Sequence, residues 1–155
     1  MTAPLFQRIL VPVDGSATST KGLKEAIDLA RLSGGRIRLL HVVDDLPLLT
    51  AGAGAFVAEA VAVLRDAGEQ VLAAARHEVE DAGLAVDTAL FDSLEGRLCD
   101  RVAQQAEEWQ ADLVVIGTHG RRGVRRLFLG SDAEQVLRTS AVPVLLVRGQ
   151  AGDPD

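Results

Sequence analysis

The sequence predicts an α/β protein: a doubly wound, five-stranded parallel sheet with helices on both faces. Three observations carry that expectation. Short unbroken apolar runs, such as Leu113-Val114-Val115-Ile116, have the form of strands buried on both faces. Between them lie longer segments with apolar residues at helical spacing, so that strands and helices alternate from Arg8 to Val147. Right-handed crossovers then leave few topologies, of which the doubly wound sheet is the simplest. With 155 residues and 48% hydrophobic content, the chain suffices for one folded domain over 1–155, with loose ends at 1–6 and 149–155.

In order, Arg8 to Val13 reads as the first strand, with Pro12 placed at its C-terminal end because proline cannot donate within a central ladder. Asp14-Gly15-Ser16 makes a sharp exit. A helix follows with Leu23, Ala26, Ile27 and Ala30 on one face and Gly34-Gly35 as its stop. Ile37 to Val43 is the second strand. Asp44 to Gly54 reads as a loop, whose Leu46, Leu48 and Leu49 either cover the sheet or meet a partner. Val57, Val61, Leu64, Val71, Ala75 and Val79 trace a long amphipathic helix ending near Gly83.

Val86 to Phe91 is a third strand at a sheet edge, and Asp92-Ser93-Leu94-Glu95 opens a helix with Leu98, Val102 and Ala106 inward. Leu113 to Ile116 is the fourth strand. Beyond a glycine-rich segment, Ser131 and Glu134 have capping-box spacing, which marks Ser131 as the start of a helix. Val142 to Val147 is the fifth strand.

The chemistry concentrates after the fourth strand. Gly117, Gly120, Gly123 and Gly130 allow close approach of a ligand to main-chain N–H groups, and a helix start favours anions. Arg121, Arg122, Arg125 and Arg126 lie in the same segment. Together they describe an anion-binding loop, most simply for a nucleotide phosphate chain. If strands one and four flank the point where strand order reverses, Asp14 and Gly117 face each other across one crevice.

Composition excludes several classes. A net charge of −6 gives no global case for nucleic-acid binding. No apolar run is long enough for a membrane span, and the first residues lack the form of a signal peptide. A single cysteine, Cys99, fits a reducing compartment, so a cytoplasmic protein is expected. Three scattered histidines and one cysteine make no metal cluster. His41, His77 and Trp109 read as structural. A Walker-type loop fails for want of a lysine, since the only lysines are Lys21 and Lys24. A phosphorylatable receiver domain using Asp14 and Asp92 lacks its lysine after the fifth strand, where Arg148 stands.

The glycine spacing has a second meaning. Gly117, Gly120, Gly130 and Ser131 form Gly-x2-Gly-x9-Gly-Ser. With Ile9-Leu10-Val11-Pro12-Val13-Asp14, Leu40-His41-Val42-Val43-Asp44 and Val142-Pro143-Val144-Leu145-Leu146-Val147 it resembles the universal stress protein family over nearly the whole chain. The resemblance implies a Rossmann-like fold of the adenine nucleotide alpha hydrolase type and an ATP-binding member, with ATP carried with Mg2+. It implies that Asp14 holds the ribose hydroxyls, with Pro12 and Val13 beside the adenine and Val42 meeting the adenine edge through its main chain. Gly117 would lie under the ribose. Thr118, His119, Gly120, Arg121 and Arg122 would wrap the phosphates, and Gly130 and Ser131 would hold the distal ones.

The resemblance also implies a homodimer through residues 142–147 and an adenine nucleotide as partner. The length and glycine content of the loop from Thr118 to Leu129 point to a nucleotide-dependent switch in the stress response, in which ATP orders the loop and alters the dimer or an unidentified protein partner's surface. A dedicated base for hydrolysis is not visible, so at most slow ATP hydrolysis is expected. A structural dimer without nucleotide is the alternative.

Overall fold

A computed structural model describes residues 5–50, 54–118 and 129–149. Five parallel strands form one sheet in the order β3-β2-β1-β4-β5. They are β1 (Arg8–Pro12), β2 (Arg36–Val43), β3 (Val86–Asp92), β4 (Leu113–Gly117) and β5 (Val144–Val147). The helices are α1 (Ala17–Ser33), α2 (Leu46–Thr50), α3 (Ala55–Asp81), α4 (Leu98–Glu108) and α5 (Ser131–Thr139). The doubly wound sheet is therefore observed, with β1 and β4 adjacent at the reversal and β3 at an edge.

Side-chain alternation along the strands sorts the core into two layers. Ile9, Val11, Val13, Ile37, Leu39, Leu113 and Val115 pack with α1 and α3 on one face. Leu10, Leu40, Val114 and Ile116 pack with α4 and α5 on the other. Central strands thus bury both faces, which is why they read as continuous apolar runs rather than alternating ones. At the opposite end of the sheet from the crevice, Trp109 caps α4, and the Arg38 guanidinium lies 5.0 Å from its ring centroid. The expected packing role of Trp109 holds.

Several boundaries differ from expectation. β1 stops at Pro12, so Val13 lies just beyond the strand. β5 is shorter than 142–147 and begins at Val144. After Asp92 comes a single 3-10 turn, Ser93–Glu95, before α4 begins at Leu98. The segment 44–54 is not all loop. Asp45 is buried and its carboxylate binds the Ser93 hydroxyl and amide, while its carbonyl accepts from the amides of Leu48 and Leu49 at 3.0 and 3.2 Å. That anchor winds α2. Leu46 stays half exposed and Leu48 and Leu49 half-buried, so the leucines cover the fold only in part.

Candidate functional site

The site is built at the C-terminal ends of β1 and β4, where open α/β sheets place ligands. Three devices fix the exit from β1. The Val13 amide donates to the Leu40 carbonyl at 2.8 Å. Asp14 folds back on its own chain, Oδ1 accepting from the Ser16 amide at 2.9 Å, a local turn typical of aspartate. The Asp14 amide donates to Ser19 Oγ at 3.1 Å. Ser16, not Asp14, is the N-cap of α1, its hydroxyl accepting from the Ser19 amide at 3.2 Å. Asp14 is therefore not the cap of α1, and its carboxylate shapes the turn between β1 and α1.

On the β4 side, Gly117 ends the strand directly under the head of α1. A Cβ at Gly117 would lie 2.9 Å from the Thr18 carbonyl oxygen, and one at Gly22 would lie 3.4 Å from the Gly117 amide. Two glycines let helix and strand approach without side chains between them. Thr118 is buried and turns the chain: its amide donates to the Val147 carbonyl at 2.9 Å, and its carbonyl accepts from the Gly130 amide at 2.7 Å. The two ends of the glycine segment are thus clamped to each other and to β5.

Gly130 is the N-cap of α5, with φ −58° and ψ 148°, so Ser131 is the first helical residue and not the cap. The correction has a physical cause. The Gly130–Thr118 bond fixes residue 130 in an extended conformation, and the Glu134 amide then closes onto the Gly130 carbonyl at 2.9 Å. Glycine has no side chain to satisfy the first-turn amides, so the head of α5 is an uncapped donor group. Glu134, expected to complete a capping box, instead pairs with Arg138 at 2.8 Å.

Of the expected site residues, the structure brings Pro12, Val13, Asp14, Gly117, Thr118, Gly130 and Ser131 to this end of the sheet. Val42 stands beside them in β2, in register with Phe91. His119, Gly120, Arg121 and Arg122, with Arg125 and Arg126, lie outside the described residues. Thr18, Ser19 and Gly22, which hold the turn, were not expected; a glycine inside the α1 pattern was their one visible sign.

The remaining chemical candidates resolve as structural. Asp92 is separated from the Asp14 strand by β2 and is bound by Arg65, Nη1 lying 2.9 Å from both its oxygens. No two-aspartate receiver site forms. Burial first, and then Asp100, raise the Cys99 thiol above its ordinary value, and Sγ lies 3.4 Å from Gln135 Oε1. His77 is exposed and pairs with Asp81 at 3.3 Å. Among the described residues no group of three or more metal-binding side chains forms and no helix is long and apolar enough to cross a membrane.

Comparisons with known proteins agree with this fold. A model of the universal stress protein family matches residues 5–148. Universal stress protein MJ0531 of Methanocaldococcus jannaschii is 32% identical over 147 residues, covering 93% of this chain and 83% of that protein. The solved structure of MJ0577, from the same organism, superposes with a TM-score of 0.82 at 26% identity, covering 96% of this chain and 99% of the other. A universal stress protein of Archaeoglobus fulgidus in complex with dAMP shares the fold at a TM-score of 0.64 and 22% identity, covering 92% and 98%.

Proposed function

The chain belongs to the universal stress protein family, and we propose that it is an adenine-nucleotide-binding member that uses ATP, carried with Mg2+, as a signal rather than as a turnover substrate. One observation carries the reading. The Asp14 turn and the clamped Thr118–Gly130 pair meet at the reversal of strand order, with the uncapped head of α5 beside them. A carboxylate suits ribose hydroxyls, and uncapped amides suit phosphate oxygens. The donor set therefore fits a nucleotide. Val42 would meet the base, Pro12 and Val13 would flank it, and Gly130 and Ser131 would hold phosphate. His119, Gly120, Arg121 and Arg122 would complete the wrap, offsetting the acidic Asp132 and Glu134 in the first turn of α5. The dAMP complex of the Archaeoglobus protein is an instance of the fold holding an adenine nucleotide.

Thermal unfolding with ATP and magnesium, against AMP and GTP, tests this. At 100 times the dissociation constant, binding adds about 2.7 kcal/mol, a rise of roughly 5–11 °C for a chain of this length. The expected order is ATP above AMP, with GTP without effect. A flat response to millimolar ATP in protein shown by mass analysis to carry no nucleotide rejects the reading in favour of the structural dimer.

The signalling part rests on a bonded path: the Gly130 amide to Thr118, and the Thr118 amide to Val147 in β5. β5 is an edge strand of the sheet, and we place the homodimer contact there. Its odd-numbered residues face β4 in the ladder, because the Val114 amide donates to Pro143 and the Thr118 amide to Val147. Val144 and Leu146 therefore turn their main-chain groups outward. Leu146→Pro deletes an outward donor and leaves the β4 ladder intact, so sedimentation should show the dimer becoming monomer. An unchanged dimer moves the contact elsewhere.

A further inference from the structure

His41 is the one buried histidine of the described residues, and its ring sits between Val13 at the exit from β1 and Gly68 of α3. Its Nδ1 lies 2.7 Å from the Val13 carbonyl. A carbonyl only accepts, so Nδ1 carries the proton. That bond stands where a rung of the sheet would be. In a parallel ladder alternate residues of a strand bond the same neighbour. In β2 the even residues face β1, since the Arg36 amide donates to Gln7, while the odd residues face β3, since the Ile37 amide donates to Ala85. The rung after Val13 N–H to Leu40 would join the Val42 amide to the Val13 carbonyl. Among the described residues the main-chain rungs stop at Val13 N–H, and the imidazole takes the carbonyl instead.

A second observation points the same way. Gly68 lies within α3, where glycine weakens a helix. A Cβ there would stand 2.8 Å from His41 Cδ2 and 3.1 Å from Nε2. The helix is notched to admit the ring.

We propose that His41 is a positioning residue of the nucleotide site: it caps the Val13 carbonyl in place of the Val42 amide, so that the Val42 main chain stays turned to the crevice for the base of the ligand. The identity of the ligand rests on the nucleotide reading above; the main-chain arrangement does not. Asparagine places a side-chain N–H close to where Nδ1 lies, whereas leucine offers none. In His41→Leu the Val42 amide closes onto Val13, completing the rung and withdrawing the donor.

Amide hydrogen exchange and nucleotide titration of the full chain, of His41→Asn and of His41→Leu form the test. Without ligand, Val42 should exchange at least about tenfold faster than Leu40 in the parent and in His41→Asn, and become protected in His41→Leu. Affinity for ATP should fall about tenfold in His41→Leu, the worth of one hydrogen bond, with recovery in His41→Asn. Binding of inorganic tripolyphosphate should not change. A Val42 amide as protected as Leu40 in the parent overturns the proposal, as does His41→Leu binding ATP like the parent. If the exchange pattern holds but no variant binds an adenine nucleotide, the main-chain arrangement stands and the functional reading falls.

Discussion

Gly117→Val is expected to destabilise the fold by about 3 kcal/mol, a fall in melting temperature of roughly 6–12 °C, whether or not nucleotide is present. The added Cβ meets the Thr18 carbonyl oxygen and Cγ2 at 2.9 Å and the Thr18 carbonyl carbon at 3.0 Å. Two of these three atoms are helix main chain, which a rotamer change cannot move, so α1 must lift from β4. Gly130→Val should behave in the opposite way. At φ −58° any residue fits, and the change costs only what a poor N-cap costs, about 1 kcal/mol. Nucleotide affinity should instead fall about 10- to 100-fold, the worth of one charge-assisted hydrogen bond. Urea unfolding and nucleotide titration of the two variants separate the roles. A Gly117→Val protein that melts like the parent removes packing as the reason for that glycine; a Gly130→Val protein that binds ATP like the parent moves phosphate away from α5.

The glycine pattern therefore carries two jobs that look alike in the sequence. Spacing shows where glycine is needed but not whether a helix or a ligand needs the room. The strands were legible because β1, β2 and β4 bury both faces, and a doubly buried strand leaves an unbroken apolar run. The doubly wound sheet followed from alternation and right-handed crossovers, and the strand order then puts the reversal between β1 and β4. What escaped the sequence depends on contacts between distant residues. α2 exists because Asp45 binds Ser93, forty-eight positions away. α5 starts at Ser131 as its pattern indicates, but its cap is Gly130 because Thr118 clamps that residue, and a local capping pattern carries no trace of that bond. His41 read as structural for the same reason. Its chemistry lies in which carbonyl it reaches, and only the pairing of β1 with β2 brings Val13 to it.

The notch that admits His41 predicts a sign reversal. Gly68→Ala normally gains about 1 kcal/mol in a helix. In the parent it is expected to destabilise by about 1–2 kcal/mol, because the imidazole cannot retreat. Its Nδ1 is tied to the Val13 carbonyl, and Leu90 Cδ1, only 3.2 Å from the same Cβ position, stands beside the ring. His41→Ala alone should cost about 2–4 kcal/mol, through the cavity and the unpaired carbonyl. With the ring gone, Gly68→Ala should recover up to about 1 kcal/mol. The coupling across the four proteins, read from urea unfolding, is then about 2–3 kcal/mol, within the range for residues in contact. A coupling below about 0.5 kcal/mol is what independent sites give and would leave the glycine without a reason at that position. A large coupling means that α3 and the end of β1 are held to each other through one side chain. Any ligand that reads the Val42 main chain then reads the packing of α3 as well, which gives the crevice a mechanical link to the helix layer on the Val13 face of the sheet.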